Sequence, residues 1–129
     1  MEAIFNYIYS LLTSDTVLKT LSGGSVRLYQ VQAKKNPEAP YIVQRLETKE
    51  TDAPYPLRDG TLIIDLWDVS TNAERILDMK VRVSNLLEQL SFTTTNEHVR
   101  TWLFSEGFIP DDIWHYVCQF SMRIYRTEV

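Results

Sequence analysis

The sequence predicts an α+β fold: a single domain with a mainly antiparallel sheet of four to five strands and with helices packed on one face. Three observations lead to this prediction. The chain has 129 residues, the size of one ordinary domain. Its apolar residues recur at helical spacing in some segments and alternate at strand spacing in others. Most connections are short, which favours antiparallel neighbours, although a minority of parallel strands around the longest helix also fits the pattern.

Two helices are predicted at the N-terminus. The segment from Glu2 to Leu12 has apolar residues on one side and polar residues on the other, as an amphipathic helix requires. The next three residues, 13 to 15, are all good N-caps, so we expect a short second helix after them. Gly23-Gly24 ends that helix, because glycine readily adopts the left-handed conformation common at helix C-termini.

The longest predicted helix follows Thr71 and Glu74, which have the spacing of a capping box, and it continues to about Leu90. Asp78 and Arg82 are one turn apart on its polar side and are expected to form an ion pair. We predict that the apolar side packs on the sheet. This apolar stripe consists of Ile76, Met79, Val83, Leu86, Leu87 and Leu90.

Alternation of apolar and polar residues predicts the strands. The segment from Thr48 to Arg58 contains two prolines and several charges but no apolar pattern, so we expect an exposed loop there. The run 93–97 is also predicted to be a loop, and Gly107 to Asp112 a turn. The predicted strands are Val26–Val31, Tyr41–Glu47, Thr61–Trp67, His98–Glu106 and Trp114–Arg126.

Charge and composition narrow the classes of partner. Thirteen Lys and Arg against seventeen Asp and Glu give a net charge of −4, so we expect no direct recognition of nucleic acid. Every apolar stretch is shorter than the roughly 20 residues that span a bilayer, and we expect no membrane association. The N-terminus lacks the pattern of a secretory signal, which favours folding in a reducing cytoplasm.

His98, His115 and Cys118 are the residue types that bind metals or build a Cys–His nucleophile. Residues three apart on a strand point to opposite faces, so His115 and Cys118 are predicted to diverge. Cys118 also alternates with the apolar residues of its strand, which is typical of a small buried hydrophobe. The sequence therefore predicts neither a metal site nor a nucleophile here.

Other candidate sites are equally weak. Asp111 and Asp112 are adjacent acids in a predicted turn, where such residues usually form the turn and stay solvated. Asp65 points away from its apolar neighbours, towards an exposed or interface face of the sheet. Gly23-Gly24 lacks the spacing of a phosphate-binding loop. We predict a protein that is not an enzyme and that has no cofactor.

One face of the sheet is predicted to be a surface for association. Ile63, Trp67, Val117 and Tyr125 all point away from the presumed helices. Two main helices can hardly cover both faces of a five-stranded sheet, so this apolar and aromatic face is expected to bind another chain. The sequence thus favours a self-associating protein over one with a few scattered surface aromatics.

Four groups of segments carry a resemblance that spans nearly the whole chain, and the stretch from Thr93 to Asp112 departs from it most. These segments are Met1–Phe5 with Leu11-Leu12 and Val17-Leu18 in paired helices, Gly24–Val31 with Ala39–Val43 at the entry to a second strand, Leu62–Trp67 with Ser70–Glu74 at a strand-to-helix step, and Cys118–Tyr125 in the final strand. In these segments the sequence resembles the tail terminator, or tail-completion, proteins of long-tailed bacteriophages and prophages.

This resemblance implies an assembly protein of the virion. Family members form a ring, typically hexameric, on the head-proximal end of the tail tube, where they stop polymerisation and join the head. The implied partners are other copies of the chain, the tail tube protein and the head connector or neck proteins. A ring built by head-to-tail contacts needs two different patches per subunit. The sheet face is expected to be one of them, and the loop with Tyr55 and Arg58 is expected to reach either a neighbouring copy or the tube.

Three other classes remain open from the sequence. Another neck component, such as a head–tail adaptor or connector-completion protein, shares the ring but binds the portal side. A small cytosolic enzyme or ligand-binding domain would use a pocket near His98, His115 and Cys118. A helix-docking interaction module would be a monomer in solution.

Overall fold

A computed structural model of the protein describes residues 2–50 and 57–126. The α+β class is confirmed, but the sheet has six strands where four to five are predicted. None of the helices in the described part is long and apolar enough to cross a membrane. The elements are α1 (Glu2–Thr13), α2 (Thr16–Leu21), β1 (Leu28–Gln30), β2 (Tyr41–Glu50), β3 (Leu57–Asp68), α3 (Glu74–Leu87), β4 (Ser91–Thr93), β5 (Glu97–Phe108) and β6 (Trp114–Arg126).

The strands form one sheet in the order β1-β2-β3-β6-β5-β4. Every neighbouring pair is antiparallel except β1 and β2, which are parallel. The parallel pair lies at one edge and is joined by residues 31–40, whereas α3 leads from β3 to β4 at the other edge. The prediction of parallel neighbours around the longest helix is therefore wrong.

Both predicted loops contain strand, and so does the start of the predicted Gly107–Asp112 turn, because β5 continues to Phe108. β2 continues to Glu50 and β3 begins at Leu57, with Glu50 paired to Arg58, so both ends of the predicted Thr48–Arg58 loop belong to a hairpin. Backbone pairing forms strands there without any apolar alternation. Of β4, only Thr93 belongs to the predicted 93–97 loop, and Ser91 and Phe92 are assigned to no element by the sequence. β4 buries only Phe92, and a strand of three residues has no periodicity to detect.

The N-terminal helices follow the prediction closely. Asp15 is the N-cap of α2, and its Oδ2 accepts a hydrogen bond from the Leu18 N–H at 3.0 Å. After α2, Gly23 and Gly24 have φ of 81° and 121°, values that favour glycine. Asp15 also accepts hydrogen bonds from Arg82 of α3, with Nη2 at 2.6 Å from Oδ1. The Arg82 guanidinium thus ties the N-terminal pair to the longest helix.

The ends of α3 differ from the prediction. The helix begins at Glu74 without a side-chain hydrogen bond from its N-cap, Ala73, and the Glu74 N–H instead donates to Asn72 Oδ1 at 3.0 Å. The predicted capping box between Thr71 and Glu74 is therefore wrong. The helix ends at Leu87 rather than near Leu90. Its stripe is confirmed, with four residues fully buried: Ile76, Met79, Val83 and Leu87.

All three helices pack into one hydrophobic core on a single face of the sheet. α1 contributes Ile4, Ile8 and Leu12, each with no exposed surface. Alternate residues of the central strands complete the core, and they leave the residues between them on the opposite face. The core residues of β3 and β6 are Leu62, Ile64, Leu66, Tyr116, Cys118, Phe120, Met122 and Ile124.

Candidate interaction surface

The open face of the sheet, defined here as the face opposite the helices, carries four of the six residues predicted for an interface. Ile63, Trp67, Val117 and Tyr125 all alternate with core residues and therefore lie on this face. Tyr125 is 40% exposed and Trp67 is half-buried, whereas Ile63 and Val117 are buried at 7% and 6% exposure. Of these four residues, the two aromatic ones thus provide most of the accessible surface. An interface role for the four residues stays a prediction.

The remaining two predicted residues have different positions. Arg58 is half-buried in β3, not in a loop, and it is paired with Glu50 and Ile124. Because Arg58 is an even number of residues from Leu62, it belongs to the helix-side face of the sheet and not to the open face. Tyr55 lies outside the described residues.

A row of aromatic side chains crosses four strands at one end of the open face. His115 of β6 stacks on Trp67 of β3, with ring centroids 3.6 Å apart and planes 12° apart. The ring centroid of Trp67 in turn lies 6.0 Å from that of Tyr41 of β2, and the ring centroids of Tyr41 and Tyr29 of β1 are 6.1 Å apart. Such cross-strand contacts stabilise a sheet and make this end of the face rigid.

Next to the aromatic row, a carboxylate is buried between two donors. Asp65 is only 5% exposed, and its Oδ1 lies 2.8 Å from His115 Nε2. Its Oδ2 accepts from Arg45 Nε at 3.1 Å. The sequence placed Asp65 on an exposed or interface face; the face is the predicted one, but the side chain is covered. Two hydrogen bonds to cationic or polar partners are what a buried carboxylate requires.

These side chains form the floor of an open cleft of about 380 Å³. His115 Nδ1 is buried without a hydrogen-bond partner in the described residues, and Asp111 Oδ2 is 3.8 Å away from it. The segment that follows β1 forms the opposite wall, where Val31 has a φ of 72°. The lining residues are Val31, Gln32, Ala33, Tyr41, Val43, Arg45, Asp65, Trp67 and His115.

The three residues of the suspected metal or nucleophile site are not brought together. Cys118 is in the core, and burial raises the pKa of its thiol to about 12. His115 is on the open face, and His98 lies at the β4 edge within 3.2 Å of Ser91 Oγ. In the described ranges, no three His, Cys, Asp or Glu residues are grouped to hold a metal ion.

Exposed aromatic residues on β5 and near the β5–β6 turn were not found by sequence reasoning. Trp102, Phe104 and Phe108 are 40%, 53% and 46% exposed. A register shift between Leu103 and Ser105 interrupts the alternation of β5, so its residues do not follow the two-residue period of a regular strand. The runs Trp-Leu-Phe at 102–104 and Phe-Ile at 108–109 are the signal that was available.

Comparisons with known proteins bear on the fold. Neither a protein-family model nor a curated protein sequence matches this chain. Among solved structures, the fold is similar to that of a chain in a structure described as the virion of a native gene transfer agent particle, with a TM-score of 0.74. The similarity covers 91% of this chain and 90% of that chain, at 15% sequence identity. The arrangement of six strands and three helices therefore has a counterpart in a chain of very different sequence.

Proposed function

We propose that this chain is a structural protein of a phage-like virion, which forms a ring on the head-proximal end of the tail tube, ends tube polymerisation and joins the tail to the head. The observation that carries the proposal is the fold similarity to a chain of a gene transfer agent virion over nine-tenths of both chains. The sequence resemblance to tail terminators supports the same role independently, because its segments are distributed over α1, α2 and four of the strands, β1, β2, β3 and β6.

The surface of the chain supports a role in assembly rather than in catalysis. The buried carboxylate on the open face, Asp65, is engaged by Arg45 and His115 and lies beside no nucleophilic side chain in the described residues. The Cys118 thiol is buried, so it is not available to react. We propose that the protein makes no covalent bonds, has no cofactor and acts by shape.

The open face and Phe108, an exposed residue on the helix side of β5, belong to two different surfaces of one chain, and a closed ring requires two. Trp67 and Tyr125 supply the aromatic part of the first surface, and aromatic residues are enriched in protein interfaces. In this proposal one surface contacts a neighbouring copy, while the ends of the ring contact the tube protein and the neck proteins of the particle.

Capping of tubes is the experiment that tests this function. Purified protein is mixed with polymerised tail tube protein of the same particle, and separately with portal complexes, and each mixture is examined by native mass spectrometry and negative-stain microscopy. The proposal expects a ring on one end of each tube and a block to further growth. Binding to portal complexes without binding to tubes would instead identify a head–tail adaptor, and binding to neither would overturn a neck role.

A further inference from the structure

Each edge of the sheet is covered over only part of its length. At one edge, β1 pairs with residues 42–44 of β2 and leaves the rest of β2 without a neighbour on that side in the described residues. At the other edge, β4 pairs with residues 98–100 of β5. Beyond β4, the Thr101 N–H donates to the Leu90 carbonyl and the Leu103 N–H to Glu88 Oε2. Residues 104–108 of β5 therefore form an open edge within the described part of the chain.

The two short edge strands cover opposite ends of the sheet. Pairing across the sheet connects Tyr29 of β1 to Val43, Asp65, Val117 and finally Gly107 of β5. In this row of paired residues β1 is present and β4 is absent.

The row that contains β4 lies at the other end of the sheet. It connects Ser91 of β4 to Arg100, Arg123, Asp59 and finally Lys49 of β2, six residues after Val43. Each edge thus has a step, the part that its short strand covers, and a notch, the uncovered part beside it. At the end of the sheet where the β2 edge has its step, the β5 edge has its notch, and at the other end the positions are reversed.

The strand directions make these edges complementary. β1 and β4 both run in the direction of β2. β1 is parallel to β2, and β4 is separated from β2 by four antiparallel pairings, which restore the direction. When a second copy continues the sheet without inversion, its β1 lies antiparallel beside residues 106–108 of the first copy. The β4 of the first copy then lies beside residues 49–50 of the second. The two short strands then occupy the same strand position between the two copies, one after the other, and do not overlap.

We propose that copies of this chain associate edge to edge, with β1 of one copy in the notch beside residues 106–108 of β5 in the next copy. An unpaired edge binds a strand through main-chain hydrogen bonds, and the fit of step to notch selects another copy of the same chain as that strand. The contact is head-to-tail, so each copy keeps one free edge of each kind and a ring can close. This inference rests on the proposed function, and it assigns the surface that builds the ring.

Side chains at the two edges fit this arrangement. Tyr29 lies opposite Gly107 of the neighbouring copy on the open face, and a Cβ placed on Gly107 meets no atom within 4 Å, so there is room for the tyrosine ring. On the helix side, the 46% exposed ring of Phe108 lies opposite the buried Leu28. Phe108 therefore offers the exposed apolar surface on the helix side of the junction, and the half-buried Tyr29 offers it on the open face.

Charge supports the same pairing. The loop after β1 and the turn after β5 lie at the same end of the sheet, because β2 and β6 both begin there. The first carries exposed Lys34 and Lys35, and the second carries exposed Asp111 and Asp112. In a sheet continued without inversion, the basic loop of one copy lies beside the acidic turn of the next, and their opposite charges favour this orientation.

Disulfide trapping tests the inference. The double variant Tyr29→Cys with Gly107→Cys places two thiols that are four strand spacings apart in one chain, about 19 Å, which is too far for an internal disulfide. Under mild oxidation it should give a ladder of covalently linked chains. The matched control is Tyr29→Cys with Val81→Cys, since Val81 is 50% exposed on α3 and belongs to neither edge. We expect about tenfold more linked chain from the first pair, because facing thiols have a high effective concentration.

Native mass spectrometry and tube capping by the unaltered chain separate the two proposals. A ladder specific to the Tyr29 and Gly107 variants supports the edge contact, and it does so even where tubes are not capped. A chain that forms rings and caps tubes, but gives no more ladder than the control, would overturn the edge contact and leave the proposed function intact. A chain that neither multimerises, caps tubes nor forms the ladder would overturn both. Circular dichroism of each variant verifies that it is folded.

Discussion

Asp65 and His115 face each other across β3 and β6, with 2.8 Å between Oδ1 of the carboxylate and Nε2 of the imidazole. The same imidazole stacks on Trp67, so one hydrogen bond and one ring contact fix its position. Asp65 is buried on a face of the sheet that has no helix over it. The pair therefore fixes the side chains at that end of the face without contributing a reactive group to it.

Replacement of Asp65 by alanine is expected to lower the free energy of unfolding by about 2 kcal/mol, because Arg45 and His115 lose their acceptor in a largely buried position. Urea denaturation followed by tryptophan fluorescence measures the change. Asp59→Ala is the matched control on the same strand and face, where Asp59 and Arg123 form an exposed pair 3.1 Å apart. Equal losses in the two variants would contradict a structural role for the buried carboxylate.

Stability in acid should depend on Asp15. The hydrogen bond from Arg82 and the backbone N–H of Leu18 hold the pKa of this carboxyl below its usual value, although burial opposes them. A group with a lowered pKa in the folded state contributes stability that is present above its unfolded pKa and lost as the pH falls through its folded pKa. The free energy of unfolding should therefore decrease below about pH 4, near the unfolded pKa of aspartate.

Asp15→Asn isolates this contribution, because asparagine remains a good N-cap but has no charge for Arg82. Chemical denaturation at several pH values between neutral and strongly acidic should give a flatter profile for this variant than for the unaltered chain. Asp78→Asn, on the exposed side of α3, is the control and should leave the profile unchanged. An unaltered acid slope in Asp15→Asn would rule out the Arg82 contact as its source.

The Cys118 thiol should be almost unreactive in the folded protein. Burial raises its pKa to about 12, so at pH 8 almost none of it is the thiolate that attacks a disulfide reagent. We expect the reagent to label the chain only at the rate at which the core opens, and completely in denaturant. Val81→Cys, at a 50% exposed position of α3, provides the exposed control and should react at once. Rapid labelling of the unaltered chain would mean that β6 is not packed as described.

Much of this fold follows from local patterns, and the parts that do not follow depend on distant partners. Leu62, Ile64 and Leu66 predict both the strand and its core face, because alternation and burial coincide in β3. The buried position of Asp65 has no local signal, since its partners are 20 and 50 residues away in the sequence. A polar residue that alternates with the core residues of a strand is interpreted as exposed unless its hydrogen-bond partners are known.

The edges of the sheet were the hardest features to predict. Phe92 is one apolar residue among polar neighbours, so β4 depends on its pairing with β5 and not on its own sequence. The shift between Leu103 and Ser105 likewise changes which side chains of β5 share a face. Because the proposed contact between copies uses these edges, sequence periodicity identified the open face but missed the edge surface.

A charge placed in the notch should weaken assembly without unfolding the chain. Gly107→Glu adds a side chain where no atom lies within 4 Å, so the monomer accommodates it, but the carboxylate occupies the space expected for Tyr29 of the next copy. We expect the fraction of multimer to fall at least about tenfold, since burying an unpaired charge in an interface costs more than 1.4 kcal/mol. Sedimentation velocity measures the fraction, with Val81→Glu as the matched control; equal effects of both would count against the edge contact.

The open face itself is tested by Tyr125, whose side chain is 40% exposed. If this face contacts a neighbouring copy or the tube, Tyr125→Ala should weaken ring formation or tube docking. It should change stability little, because Tyr125 lies outside the hydrophobic core. Tyr9→Ala is closely matched, since Tyr9 is 42% exposed on α1. Trp67→Ala and Arg58→Glu extend the test, but each needs a stability measurement, as Trp67 stacks on His115 and Arg58 is half-buried. Normal assembly of folded Tyr125→Ala and Trp67→Ala would remove the open face from the interface and leave the edges as the contact.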